Sequence, residues 1–146
     1  MQKKWYRLDT AALIFPAITR RDWCNAFRVS ASLSEPVDPE ILQRATDDLR
    51  RRFPSYFVTL RKGFFWYYLE ESSRPVTVQG DYAYPLTFMS SRELRRNCLR
   101  VLWYKNRIAV EFSTPSPTGV AAASFWPIWW PTIWSCATGS RFPGRD

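Results

Sequence analysis

The chain has 146 residues, enough for one domain with a buried core, and its hydrophobic share of 46% and charged share of 23% are typical of a folded protein. It contains no histidine, which excludes imidazole acid–base chemistry and histidine-ligated metal sites in this sequence. The formal net charge of +8 at pH 7 favours an anionic partner without selecting among nucleic acid, a membrane and a phosphorylated ligand.

The three cysteines, Cys24, Cys98 and Cys136, are widely separated and form no CxxC pair. This spacing indicates neither a disulfide framework nor a zinc site, so we expect no metal. Because no histidine is present to activate a thiol, packing is the expected role of all three. The N-terminus lacks the apolar stretch of a signal peptide, and we expect a cytoplasmic protein.

In chain order, the first clear pattern is an alternation of apolar and polar side chains from Asn25 to Ser34, which predicts a strand with one buried face. A helix follows, with Asp38 as its N-cap, Pro39 in its first turn and Pro54 at its end. The apolar stripe of this helix consists of Ile41, Leu42, Ala45, Leu49 and Phe53.

Two hairpins are predicted after the helix. The first joins Tyr56–Leu60 to Phe64–Leu69 through a Lys-Gly turn, and the second joins Arg100–Tyr104 to Arg107–Phe112 through a Lys-Asn turn. The stretch from Ser72 to Pro85 is expected to be a loop with one short strand. A strand, a helix and paired strands in this order predict an α+β fold with a layered sheet.

Aromatic and basic side chains suggest a nucleic-acid partner, but we expect none. Aromatic residues in strands usually fill a core, and no RNA-binding signature accompanies them here. The basic runs Arg50–Arg52 and Arg92–Arg100 are expected to be solvated helix faces, with contact to nucleic acid or to CoA phosphates as the alternative. The aromatic residues expected in the core are Trp5, Tyr6, Trp23, Phe64, Phe65, Trp66, Tyr67 and Tyr68.

The composition changes at about residue 113. Beyond Phe112 only Arg141, Arg145 and Asp146 are charged, whereas half of the eight tryptophans and five of the eleven prolines lie there. An uncharged run of this length suggests a membrane span, but prolines interrupt it, and we expect none. We therefore divide the chain into residues 1–112 and a low-charge tail, residues 113–146.

Three segments in the first part, Lys4 to Pro16, Asn25 to Glu70 and Cys98 to Phe112, resemble in order the N-terminal lobe of CoA-dependent acyltransferases. The resemblance is to the condensation-domain-like members, especially the alcohol O-acetyltransferase-like branch. It implies an incomplete chloramphenicol-acetyltransferase-like lobe over residues 1–112, a mixed sheet with a helix packed on one face, followed by an irregular Trp- and Pro-rich tail.

In that family two lobes enclose a tunnel, and a His-x-x-x-Asp-Gly motif directly follows a strand like Arg107–Phe112. Its His is the general base for acyl transfer from acyl-CoA or a carrier-protein thioester to an alcohol or amine. This chain has STPSPTG, Ser113 to Gly119, at that place, with neither His nor Asp. The resemblance therefore implies a small-molecule acyl donor and acceptor for the full-length family and no partner protein, but no catalytic residue and no bound cofactor for this chain.

The genetic code offers a cause for the missing motif. Suppose that one nucleotide was lost just before Ser113. In the restored frame the codons of Thr114, Thr118 and Gly119 supply the last two bases of His, Asp and Gly codons. With permitted third bases, the stretch can then read x-His-Ala-Leu-Thr-Asp-Gly. In the same frame each tryptophan codon yields Leu, Met or Val, and residues 121–134 can read as an amphipathic helix after a glycine-rich turn.

We therefore expect a truncated, inactive N-terminal piece of an acyltransferase with a frameshifted, disordered tail. The alternative is a small basic binding module in which the Trp-rich tail docks on a membrane surface or a partner.

Overall fold

The computed structural model describes residues 4–7 and 26–113, together with Pro131. Within these ranges the chain forms a mixed sheet, an antiparallel sheet and few helices, which confirms the α+β class. The elements in chain order are β1 (Trp5–Arg7), β2 (Ala26–Ser32), α1 (Pro39–Arg52), a 3-10 helix (Pro54–Tyr56), β3 (Val58–Lys62), β4 (Tyr67–Glu71), β5 (Gln79–Gly80), α2 (Ser91–Leu94), β6 (Leu99–Tyr104) and β7 (Arg107–Ser113).

The larger sheet has the strand order β2-β7-β6-β5. Strands β6 and β7 form the predicted second hairpin, in which Lys105 adopts the left-handed conformation with φ 51° to close the two-residue turn. Strand β2 pairs antiparallel with the other side of β7, whereas β5 pairs parallel with β6, so the sheet is mixed. The short strand β5 lies in the segment that was expected to be a loop with one short strand, which confirms that prediction.

Helix α1 follows the sequence pattern closely. The Asp38 side chain accepts hydrogen bonds from the backbone N–H of Glu40 at 2.8 Å and of Ile41 at 3.3 Å, which satisfies two donors at the helix start. Leu42 and Leu49 are buried on its apolar side. They share one hydrophobic cluster with side chains from one face of the larger sheet, namely Leu99, Val101, Ile108, Val110 and Phe112. The helix therefore covers one face of this sheet, as predicted.

The smaller sheet has the order β1-β4-β3 and is antiparallel throughout. Its buried side chains Leu60 and Leu69 form a second hydrophobic cluster with Met89 from the segment before α2 and with Cys98 from the residue before β6. The backbone N–H of Cys98 donates to the carbonyl of Val58 at 2.8 Å, which ties the start of β6 to the start of β3. The two sheets thus meet at Cys98.

The first hairpin differs from its prediction at the aromatic residues. Strand β4 begins at Tyr67, and the preceding residues form a loop that is closed by a 2.7 Å hydrogen bond from the Gly63 N–H to the Trp66 carbonyl. Phe64 and Phe65 lie in this loop with 94% and 86% of their surface exposed. The expectation that these aromatics fill the core is therefore wrong, because Phe64 and Phe65 precede β4 and lack the alternation that buries one side of a strand. It is also wrong for Trp66 and Trp5, which are 57% and 67% exposed.

Candidate functional site

The position at which the resemblance expects the catalytic motif lies at the end of β7. Ser113 is the last residue of the strand and is buried, and its backbone N–H donates to the carbonyl of Cys98 at 2.8 Å. The segment from Thr114 to Gly119, where the resemblance expects the motif, lies outside the described residues, as does the rest of the tail except Pro131. The described site is therefore the sheet surface that leads up to Ser113.

A row of charged side chains crosses this surface on the face opposite α1. Arg28 of β2 and Arg100 of β6 are both direct cross-strand neighbours of Glu111 on β7. Because side chains alternate along a strand, these three point away from the face that carries Phe27, Leu99 and Phe112. The Glu111 carboxylate accepts from Arg28 Nη1 at 3.0 Å and from Arg100 Nη1 at 3.5 Å. It is almost fully buried, with 1% exposure.

Asp81, directly after β5, extends the row. Its carboxylate pairs with the guanidinium of Arg28 and accepts a 3.0 Å hydrogen bond from Arg107 Nη2. Burial raises the pKa of Asp81, but the hydrogen bonds and charges of Arg28 and Arg107 outweigh it, so that this pKa lies below its ordinary value. Asp81 is therefore an ionised anchor at neutral pH and not a proton donor.

The Glu111 carboxylate also holds the backbone of the segment that follows Asp81. It accepts a 2.8 Å hydrogen bond from the N–H of Leu86, a residue held in the left-handed conformation with φ 58°. A β-carbon is disfavoured in this conformation, so the hydrogen bond compensates for local strain. The same segment presents Tyr82 and Tyr84 to solvent. Chemically, the row orients β7 and this segment, and it contains no histidine or activated nucleophile.

The burial of this row was not predicted. The alternation in β2 assigned Arg28 to a solvent face, and the basic run assigned Arg100 to a solvated helix, yet their side chains are only 11% and 16% exposed. Arg100 lies in β6, as the predicted strand Arg100–Tyr104 has it. The solvated position predicted from the basic run is wrong, because the guanidinium of Arg100 pairs with Glu93 and Glu111. The sequence does contain a signal for this ion network. Glu111 is the one acidic residue in the strand Arg107–Phe112, and the strands Asn25–Ser34 and Arg100–Tyr104 carry arginines that could pair with it.

Cys98 does not have the properties of a nucleophile. It is 2% exposed, and burial raises the pKa of its thiol to about 12, so it is protonated and packs in the second hydrophobic cluster. Cys24 and Cys136 lie outside the described residues. None of the helices in the described part of the chain has the length and apolar character that a membrane crossing requires.

Together these elements define an α+β lobe in which a mixed sheet carries a helix on one face and a buried ion network on the other. Among solved structures, the chain is similar to the crystal structure of tallysomycin biosynthesis protein TlmII, with a TM-score of 0.57 and 13% sequence identity. The match covers 96% of this chain and 38% of the TlmII chain, so this chain spans well under half the length of that protein. At this identity the likeness shows the fold alone.

No family model matches the chain, and the search of curated proteins finds no relative.

Proposed function

We propose that this chain is the N-terminal part of a CoA-dependent acyltransferase of the condensation-domain-like kind, which transfers an acyl group to an alcohol or amine. The ordered resemblance of its segments supports this proposal, as does a fold similar to part of a larger biosynthetic protein. The observation that supports it most is positional. Strand β7 ends at Ser113, directly before the position at which the restored reading places the His of the His-x-x-x-Asp-Gly motif.

We further propose that the chain as it stands is inactive. Acyl transfer to a hydroxyl or amine needs a base within hydrogen-bond reach of the nucleophile, with a pKa near neutrality. The chain has no histidine, and the carboxylates of the buried row are held by arginines. The loss of one nucleotide before the Ser113 codon accounts for both the missing motif and the surplus of tryptophan in the tail.

The nucleotide sequence across codons 110 to 120 and downstream tests the proposal directly. The expected result is an open shifted frame that encodes His-x-x-x-Asp-Gly and continues into a second lobe. A coding sequence with no such frame would overturn the frameshift hypothesis, and the resemblance would then lack both the catalytic motif and the second lobe.

An activity measurement follows if the shifted frame is open. The protein from the restored frame is incubated with acetyl-CoA and a panel of alcohols and amines, and release of the free thiol is measured. The present chain is one control, and the restored protein with its motif histidine replaced by alanine is the other. Only the restored protein is expected to release thiol above background; equal release from all three would contradict the assigned base.

A further inference from the structure

A cavity of about 340 Å³ opens between the segment 74–79, strand β6 and helix α2. Three buried apolar side chains form part of its lining: Val76, Met89 and Leu99. Val76 and Leu99 belong to the cluster under α1, so this wall is part of the rigid core. Because Leu99 pairs with Phe112, the cavity borders the C-terminal part of β7.

The charges that line the cavity are unbalanced. Arg74, Arg96 and Arg100 line it together with one carboxylate, Glu93. Glu93 is already neutralised, since Arg100 Nη2 donates to its carboxylate at 2.7 Å, while Nη1 of the same arginine reaches Glu111. Within residues 4–7 and 26–113, the guanidinium groups of Arg74 and Arg96 form neither an ion pair nor a hydrogen bond. Two positive charges at this cavity therefore have no partner among the described residues.

The backbones that carry these two arginines are fixed to each other by Ser72. Its hydroxyl oxygen accepts a hydrogen bond from the N–H of Arg74 at 3.2 Å, and its O–H donates to the carbonyl of Arg96 at 3.0 Å. Arg74 and Arg96 are distant in sequence, yet one hydroxyl group bridges the two segments. The backbone positions that carry both side chains are thus held at one rim of the cavity. Less entropy is lost when a ligand binds to groups whose backbone is already fixed.

The irregular segment between Arg74 and β5 is also held in place. The Gln43 side chain on α1 donates to the Val76 carbonyl at 2.9 Å and accepts from the Val78 N–H at 2.9 Å. The Gln43 amide thus satisfies two backbone groups that would otherwise need a partner strand. The cavity wall is therefore attached to the helix and is formed before any ligand arrives.

We propose that this cavity binds a phosphomonoester, with Arg74 and Arg96 on the phosphate and the organic group on the wall formed by Val76, Met89 and Leu99. A phosphomonoester carries about −1.5 to −2 charge at pH 7, which matches the two free guanidinium groups. Arginine binds phosphate through two parallel N–H donors, so each side chain supplies direction as well as charge. This site is inferred without use of the proposed acyl transfer.

Isothermal titration calorimetry of the full chain at constant ionic strength tests the ligand class without any variant. Glycerol 3-phosphate and inorganic phosphate are compared with dimethyl phosphate, which carries one charge, and with glycerol, which carries none. We expect saturable binding of the dianions, about tenfold weaker binding of dimethyl phosphate and no heat from glycerol. Equal heats from all the ligands, or no saturation with any of them, would overturn the proposal.

Variants then test the assigned residues. Arg74→Gln and Arg96→Gln should each weaken the binding of glycerol 3-phosphate about tenfold, because each removes one charged donor. Arg96→Lys keeps the charge without the paired donors and should give an intermediate affinity. Arg92→Gln is the matched control, because Arg92 is exposed on α2 and is outside the cavity lining.

The outcomes separate a built site from general attraction to a basic protein. If Arg92→Gln weakens binding as much as Arg96→Gln does, the phosphate responds to net charge and the site is wrongly assigned. Phenyl phosphate tests the apolar wall, because its organic group is apolar; if its binding does not exceed that of inorganic phosphate, the role of the wall is wrong. Far-UV circular dichroism of each variant shows whether the fold is retained, and the four-ligand comparison on the unaltered chain stands regardless of the variants.

Discussion

Arg28 on β2 lies directly opposite Glu111 on β7, and its Nη1 atom donates a 3.0 Å hydrogen bond to the Glu111 carboxylate. A buried carboxylate is costly unless its charge is matched and its oxygens accept hydrogen bonds. Glu111 meets both conditions through Arg28, Arg100 and the Leu86 N–H. One side chain therefore joins two neighbouring strands and the segment that crosses over them.

Replacing Glu111 with glutamine should lower the free energy of unfolding by about 2 to 4 kcal/mol, since it leaves buried arginine charge without its anion. Urea unfolding measures the change. Arg51→Gln is the control, because Arg51 pairs with Asp48 at an exposed position and its removal should cost about 0.5 kcal/mol or less. Equal effects of the two substitutions would mean that the Glu111 row contributes no more than a surface pair.

Leu86 should reverse the usual ranking of alanine and glycine. Its φ of 58° is costly for any residue with a β-carbon, and its N–H must stay in place to reach Glu111. Leu86→Gly should therefore be more stable than Leu86→Ala by about 1 kcal/mol, as measured by thermal or urea unfolding. If Leu86→Ala is the more stable variant, the backbone at this position is not left-handed in solution.

Acid should weaken the fold through Asp81. The folded-state pKa of Asp81 is lowered by Arg28 and Arg107 despite its burial, so its contribution is present above the unfolded pKa of about 3.9 and is lost as the pH falls through the folded value. The urea midpoint should be level from pH 7 to about 5 and should fall below about 4. The difference in urea midpoint between the parent and Asp81→Asn should shrink as the pH falls below about 4. A difference that stays constant there would contradict the assignment.

The exposed aromatic loop should tolerate substitution. Phe65 is 86% exposed, so Phe65→Ser should change the free energy of unfolding by about 0.5 kcal/mol or less, with reduced self-association at high concentration. Phe57 is 1% exposed, and Phe57→Ala should cost about 3 to 5 kcal/mol. Urea unfolding and light scattering provide the two measurements. A large loss of stability in Phe65→Ser would show that the loop packs against the rest of the molecule.

Elements with a local signal could be predicted from the sequence. Asp38 and Pro54 bound α1 because capping and proline chemistry act within a few residues, and the β6–β7 hairpin follows from alternation on both sides of a two-residue turn. The parallel pairing of β5 with β6 could not be predicted, because its partners are more than twenty residues apart and β5 has only two residues.

The site was less predictable than the fold for the same reason. The burial of Arg28 depends on Asp81 and Glu111, which are 53 and 83 residues away, and no local pattern contains these distances. Ser72 carries no sequence signal for bridging Arg74 and Arg96, since a serine in an irregular segment usually indicates only a turn. The phosphate alternative considered for the basic runs included Arg96 but missed Arg74, which lies outside both runs.

The strand order β2-β7-β6-β5 gives the larger sheet two very different borders. At one border β5 offers only two residues, and the chain leaves it at Asp81. At the other, β2 offers seven residues and pairs only with β7 among the described strands. Backbone groups along such a border are a template for a further strand. Growth of this sheet is therefore one-sided, so that any strand joining it, from this polypeptide or another, has its longest template in Ala26–Ser32.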